Sequence, residues 1–369
     1  MPSPSNDTPE KVELSIAGNR HSDWSSYEID SDLMIPADAW SMTLGMSGNE
    51  MPPDVTPAAP VLVKIDGQTV LTGRVDEITH TVNKTTHAFS ISGRDNAAAL
   101  LDCSAPIFSK QEATLKEVAA ALVHDFGIAQ PKILADKTRI CKKIAVDPGD
   151  TAWNMLARVA EANGLWPWFR PDGQLVIGGP DYSVAPAATL ILRRDGNGNN
   201  VLSLVKNESV AERFSRVTVY GQAPGTLFEP GRHSLHGSAD DTGLAPVWFR
   251  PKIVIDHEAD SPAVCEDRAE KIISDARLQG FSLTAIVRGH YANREMALLW
   301  EPGMRIKVIS EPHGIMQEQV FFLMGRKFMR SRSEGTRTEV RLKEDNVWAV
   351  NAHPHNRHRR GIAALKGGI

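Results

Sequence analysis

The sequence predicts an α+β protein, mainly β, with two similar β-barrel domains and two inserted α/β domains. Three observations predict it. Short apolar/polar segments of period two, punctuated by Gly, Pro and Asn about every eight to twelve residues, occupy both ends of the chain. Helical periodicity is confined to the stretch between them. The strand pattern of residues 61–95 then returns at 305–345.

Element by element, residues 1–9 are rich in Pro, Ser and Asn and are expected to be disordered. Val12–Ile16 alternates as a half-buried strand should, and Trp24–Ile29 and Trp40–Leu44 read the same way. After a proline-rich connector, Met51–Pro60, come strands at Val61–Ile65, Val70–Ile78 and His87–Ser92, the first two joined by a tight Asp66-Gly67 turn. The period then changes. Thr114 and Glu117 have the spacing of a capping box, and Leu115, Val118, Ala119, Leu122, Val123 and Phe126 mark one helical face that Gly127 ends. A second helix starts near Asp150-Thr151, carries Leu156, Val159 and Ala160 inward and stops at Asn163-Gly164. A hairpin, Leu165–Phe169 and Gln174–Ile177, turns at Pro171-Asp172-Gly173. Ser261 caps a third helix with Pro262 in its first turn, Cys265, Ala269, Ile272 and Ala276 on one face and Gly280 at its end. Strands at Lys252–Ile255 and Leu283–Arg288 flank it.

In the internal echo, both copies run strand, turn, strand into a Gly-Arg pair, Gly73-Arg74 and Gly325-Arg326, then a polar turn and an alternating strand ending in Asp95 or Asp345. The Gly-to-Asp spacing is 22 residues in one and 20 in the other, which points to duplication. The expected boundaries are a disordered 1–9, a first barrel over 10–102 and an inserted α/β domain over 103–205. A second, discontinuous barrel takes 206–222 plus 300–348, a second inserted α/β domain takes 223–299, and a basic flexible tail takes 349–369.

The 369 residues carry a net charge of −4. Residues 325–369 hold 11 Lys+Arg against 4 Asp+Glu, so a basic end of +7 follows a body of −11. Such asymmetry fits an anionic neighbour for the basic strands. Three well-separated cysteines exclude a disulfide scaffold and paired-cysteine zinc sites. No apolar run approaches the roughly 20 residues of a membrane helix, and the first residues form no secretory signal.

No dinucleotide loop, phosphate loop, zinc-protease helix or nucleophile elbow occurs. Asp195-Gly196-Asn197-Gly198-Asn199 imitates a calcium loop but has Asn200 at the required glycine and Lys206 at the bidentate glutamate, so it reads as a surface turn. The run Asp256-His257-Glu258-Ala259-Asp260 offers metal or acid/base groups, yet its place before the third helix fits a capping role better. His353, His355 and His358 lie among arginines that oppose metal binding. Trp166 and Trp168 would suit a stacking platform but read more simply as core. The chain has no zinc finger or basic helix for sequence-specific DNA binding.

In their order and spacing, several segments resemble the baseplate hub proteins of contractile-tailed phages. They are Val12 to Trp24, Phe89-Ser90-Ile91-Ser92-Gly93-Arg94-Asp95 running into Leu100-Leu101-Asp102, and Thr114-Leu115 opening a helix that ends at Phe126-Gly127-Ile128. Leu156 to Gly173, Val217 to Gln222 and Leu299-Trp300-Glu301-Pro302-Gly303 continue the match, which spans residues 10 to 348. The chain is similar to the Mu-like tail hub, the late control D protein of P2-like phages and the hub part of type VI secretion spike proteins. The resemblance implies a homotrimer whose two barrels per subunit form a pseudo-sixfold ring. Its partners would be the trimeric membrane-puncturing spike, the tail tube and other baseplate proteins, and DNA would pass through on infection. The resemblance implies a place in the virion baseplate, after assembly in the host cytoplasm. It implies no enzymatic activity, no cofactor or metal, no sequence-specific DNA contact, no stable membrane insertion and no appended spike or lysozyme domain. Gly73, Arg74, Gly325 and Arg326 are expected at the trimer or ring interface. The alternatives are a type VI secretion hub, a cell-wall-degrading tail enzyme using Asp256, His257 and Glu258, and nonspecific DNA contact through the lumen or tail.

Overall fold

The computed structural model describes residues 10–348 except 23, 46–54, 85–86, 136–137, 139, 147, 224–231, 257–258 and 260. The expected disordered start, the basic tail with its three histidines and the first four residues of the proline-rich connector lie outside the described residues. The described chain is mainly β, with 23 strands and four α-helices.

The first seven strands are β1 Val12–Ile16, β2 Asn19–His21, β3 Ser26–Asp32, β4 Ala39–Gly45, β5 Pro60–Ile65, β6 Gln68–Val82 and β7 His87–Asp95. Alternation is obeyed where the sequence shows it: Val12, Leu14 and Ile16 are buried while Glu13 and Ser15 are not. Asp66 and Gly67 both take positive φ, +47° and +85°, as a two-residue hairpin turn requires. Asp66 is also an anchor, accepting the amide of Lys11 at 2.8 Å and the hydroxyl of Tyr291 at 2.7 Å.

A helical unit follows, with α1 Ala97–Asp102, β8 Ser109–Thr114, α2 Leu115–Val123, β9 Lys132–Ile133, β10 Ile140–Ala145, α3 Ala152–Glu161, β11 Trp166–Phe169 and β12 Leu175–Gly178. The capping box is formed: Glu117 accepts the Thr114 amide at 2.8 Å, and Thr114 Oγ1 accepts the Glu117 amide at 3.3 Å. The apolar faces read from the sequence meet in one core, with Leu115, Val118 and Leu122 of α2 beside Leu156 and Val159 of α3. Phe126 lies only half-buried at its margin.

Next come β13 Ala188–Leu192, β14 Val201–Glu208, β15 Arg216–Ala223, β16 Arg232–Asp240, β17 Pro251–Asp256 and α4 Pro262–Gly280. Ser261 Oγ caps α4 by accepting the Val264 amide at 3.3 Å. Val217, Val219, Cys265, Ala269 and Ile273 form the core between α4 and one face of the β16–β15–β17 sheet. The chain closes with β18 Phe281–Arg288, β19 Tyr291–Asn293, β20 Leu298–Leu299, β21 Arg305–Ser310, β22 Ile315–Ser331 and β23 Gly335–Glu344.

One 13-stranded sheet joins the two ends of the chain, in the order β14-β18-β23-β22-β3-β4-β7-β6-β5-β1-β2, with β21 also on β22 and β13 parallel to β21. The joint is β22. With 17 residues it is long enough to pair β21 through its first part and β3 through Gly325–Arg330. A single apolar cluster runs under both halves, from Leu14, Ile29, Trp40 and Ile91 to Leu283, Ile306, Phe321, Phe328 and Val340. The echoed segments are both antiparallel meanders, β5-β6-β7 and β21-β22-β23, each with a bulge close to its glycine.

The pairing corrects part of the segmentation. β13 and β18, assigned to inserted domains, are hydrogen-bonded to β21 and β23 of the main sheet, and β14 straddles the 205/206 boundary. β15, assigned to the second barrel, is the middle strand of the small sheet under α4. Alternation identifies a strand but not its partner, and these pairings reach as far as Ala188 with Ile306, beyond what local patterning specifies.

Candidate functional site

The two Gly-Arg pairs occupy dissimilar places. Gly73 lies between Val61 and Asp95, and a Cβ there would lie 2.0 Å from the carbonyl oxygen of Arg94. Gly93 on β7 is pressed equally close to the Arg74 carbonyl. The two glycines let β6 and β7 touch, which no side chain would permit. Arg74 is exposed and donates to the Ala58 carbonyl at 2.9 Å. It edges an open cleft of about 380 Å³ lined by Ala17, Gly18, Pro60, Leu62 and Thr72.

Gly325 is also a close-approach position: a Cβ would fall 2.3 Å from Asp32 Oδ2 and 2.7 Å from the Arg341 guanidinium. Arg326 points inward and is 2% exposed. Its guanidinium donates to the carbonyls of Ile29 at 2.7 Å and Val70 at 3.3 Å and lies 4.1 Å from the centre of the Phe328 ring. Burial pulls its pKa down to about 10. Arg326 ties β3 to β6 inside the chain and presents no surface to a neighbour; the interface expectation for it is corrected on that ground. A signal was present: Phe321 to Met324 is an unbroken apolar run, so the arginine ending it follows a stretch buried on both faces.

Around that arginine lies a group of charges that spacing does not reveal. Arg341 pairs with Asp30 and reaches Asp32 at 3.4 Å, while Lys327 lies 3.5 Å from Glu28. Asp38 and Asp95 lie at the end of β7, where Asp95 accepts the Ala97 amide at 2.9 Å and Asp38 accepts the Asp32 amide at 3.1 Å. Burial holds the carboxyls of Asp32, Asp38 and Asp95 above the ordinary carboxylate range, and the charge of Asp38 raises Asp95 further.

On the other flank His290 is fully buried. Its Nε2 is 2.9 Å from the Tyr27 hydroxyl, its Nδ1 3.0 Å from Thr338 Oγ1, and its amide donates to Glu10 at 3.0 Å. Burial lowers the imidazole pKa to about 3, so the ring is neutral. These bonds join the start of the chain to β3 and β23. A cleft of about 560 Å³ lies beside them, lined by Glu10, Arg288, Tyr291, Arg294, Glu334 and Arg337.

The remaining candidates have ordinary partners. Asp256 accepts from Arg268 Nε of α4 at 2.8 Å; His257, Glu258 and Asp260 lie outside the described residues. Trp166 donates to the Leu33 carbonyl at 2.6 Å, and Trp168 is buried beside Leu134 and Val176, so neither is a stacking platform. The Asp195–Asn199 turn serves closure, because it leads into Asn200, whose side chain accepts from the Ile191 amide at 2.8 Å and donates to the Thr189 carbonyl at 2.7 Å, fastening β14 to β13. Among the described residues no group of three or more His, Cys, Asp or Glu is placed to hold a metal ion, and no helix is long and apolar enough to cross a membrane.

Four family models tile this fold. Residues 11–95 match the N-terminal domain of Mu phage baseplate assembly proteins of the GpP-like type, and 97–179 match the second domain of gp44-like baseplate hub proteins. Residues 213–273 and 275–347 match the third and C-terminal domains of tail proteins of the NMB1110-like type. The chain is 24% identical to the baseplate hub protein gp44 of Escherichia phage Mu, over 97% of this chain and 94% of that one. The crystal structure of the tail protein from Neisseria meningitidis MC58 is 38% identical and superposes at a TM-score of 0.83, covering 94% of this chain and all of that one. The 43 kDa tail protein of prophage MuSo2 from Shewanella oneidensis, 21% identical, superposes at 0.80 over 92% of this chain and 99% of its own. At 12% identity and a TM-score of 0.58, a type VI secretion component of E. coli shares the fold, covering 91% of this chain and 78% of that one. With 38% identity to the Neisseria tail protein across nearly the whole length and the hub-type family models matched along the chain, the chain belongs to the family of Mu-like phage tail and baseplate hub proteins.

Proposed function

We propose that this protein is the structural hub of a contractile phage tail baseplate, a homotrimer in the virion that joins the sixfold tail tube to the threefold spike and leaves DNA a passage on infection. The observation that carries the reading is the pair of echoed meanders, β5-β6-β7 and β21-β22-β23, held in one sheet by the β22–β3 pairing. Three chains, each with two similar β units, display six similar faces, so a hexameric ring stacks on a trimer without a symmetry clash. On this reading each meander is the heart of one barrel, and the helical unit and the β16–β15–β17–α4 unit are the insertions. Gly73 and Arg74 belong to the contact between subunits. The role is assembly rather than catalysis: Asp256 of the carboxylate cluster is engaged by Arg268, and no cofactor is needed. Electron microscopy of the purified full-length chain tests the reading. Ring particles with six peripheral lobes and threefold averages support it; particles of single-chain size overturn it.

A further inference from the structure

The turn between β16 and β17 exposes three consecutive large apolar side chains. Val247 is 80%, Trp248 54% and Phe249 73% exposed, and Ile253 and Ile255 on the outer face of β17 are 68% and 70% exposed. The other face of that sheet is covered by α4, so these residues lie on the side without a layer. Patches of this kind on folded chains mark contact surfaces.

The turn is also held rigidly. The Asp241 side chain is buried and accepts from Arg213 at 2.7 Å and from the amides of Gly243 and Leu244 at 3.0 and 3.2 Å. Leu244 is buried beneath, and its carbonyl accepts the amides of Val247 and Trp248, each at 2.9 Å. Arg250 donates to the Val210 and Ala211 carbonyls, and its guanidinium lies 4.6 Å from the centre of the Trp248 ring. Aromatic side chains already ordered before contact lose little entropy on binding, which is the usual character of residues that dominate an interface. An aromatic side chain buries about 150–250 Å² when wholly covered, and Trp248 and Phe249, 54% and 73% exposed, still have more than half of that to contribute toward the roughly 800 Å² each partner gives to a standard interface.

The same chain carries a surface suited to receive them. The cleft of about 380 Å³ beside Gly73 is lined by Ala17, Pro60 and Leu62, the last 37% exposed, with Thr72, Asn96 and the guanidinium-bearing Arg74 also on its lining. It accommodates an aromatic ring on apolar walls and offers a cation to the ring face. Knob and cleft belong to different sheets, β16–β15–β17 and the β1–β5–β6 end of the main sheet. A projection and a recess at different places on one chain make a head-to-tail contact, the type that builds a ring when the rotation between copies closes and a filament when it does not.

We infer that the Val247-Trp248-Phe249 knob of one copy docks into the Ala17/Pro60/Leu62/Arg74 cleft of the next copy. This inference rests on the ring reading above and names its contact. The experiment is sedimentation of full-length wild type, the double variant Trp248→Ser/Phe249→Ser and the cleft variant Leu62→Glu. Circular dichroism and thermal melting check that the folds match, as expected for exposed positions. Both variants are expected to raise the trimer dissociation constant at least tenfold. A disulfide between Leu62→Cys and Phe249→Cys in a Cys103→Ser background is expected to give a covalent ladder ending at the trimer. A monomeric wild type overturns the ring reading and this contact with it. A wild-type trimer that both variants leave intact, or that only the knob variant weakens while the cysteine pair fails to link, overturns this contact and leaves the ring reading standing.

Discussion

His290 and the carboxyls of Asp38 and Asp95 respond to pH in opposite senses, and the sign follows from their burial. Folding lowers the His290 pKa from 6.5 to about 3. Between those values the unfolded chain takes up a proton that the folded chain refuses, so this residue removes stability as pH falls from about 6.5 toward 3. The Asp38 and Asp95 pKa values are raised on folding, so their contribution is favourable in acid and is lost as pH rises through the folded value. A His290→Gln variant isolates the first effect. Its hydrogen bonds to Tyr27 and Thr338 are impaired, which costs about 1–3 kcal/mol at pH 7.5. The stability gap to wild type is expected to narrow between pH 7 and pH 4, as followed by urea unfolding; a gap constant with pH would show that the imidazole is not buried and neutral. Gly325 gives a second test. A methyl group there meets Asp32 and Arg341, so Gly325→Ala is expected to lose about 1–3 kcal/mol in the same assay, whereas Gly314→Ala, with open space around it, loses only the smaller strain of a positive φ. The burial of Arg326 had a signal in the apolar run before it, but neither its partners nor those of His290 were legible, because each lies far away in sequence: Arg326 meets Ile29 and Val70, and His290 meets Tyr27 and Glu10. The Thr114–Glu117 box and the Asp66-Gly67 turn were legible because the contacts that form them lie within a few residues, whereas the anchoring of Lys11 and Tyr291 on Asp66 was not.

At the scale of elements, the long β22 and the Asn200 fastening decide how strands become sheets. Asn200 supplies side-chain hydrogen bonds at the junction of β13 and β14, where few backbone ones run. Asn200→Ala is therefore expected to speed amide exchange in β13 and at the start of β14 by more than tenfold, leaving β5–β7 unchanged. Uniform exchange across the main sheet would contradict the assigned role. Most strands were legible from alternation, and so was the recurrence of the meander, since repeated glycines and turns leave a pattern in the sequence. The parallel pairing of β13 with β21 and the place of β15 under α4 were not. Both are choices among strands of similar composition, settled only when the cores beneath them assemble.

At the scale of the whole molecule, the continuous core and the family relationship agree on a mainly β scaffold of the tail and baseplate hub type, and the proposed function has it present two similar units per chain. The first 324 residues carry −11 and the rest +7, and on β22 and β23 basic side chains are met within the chain, Lys327 by Glu28, Arg337 by Glu334 and Arg341 by Asp30. The central claim is threefold assembly, and mass in solution tests it most directly. Light scattering on the full-length chain at micromolar concentration is predicted to give three copies of 40.4 kDa, about 121 kDa. A single species near 40.4 kDa at the same concentration would contradict it.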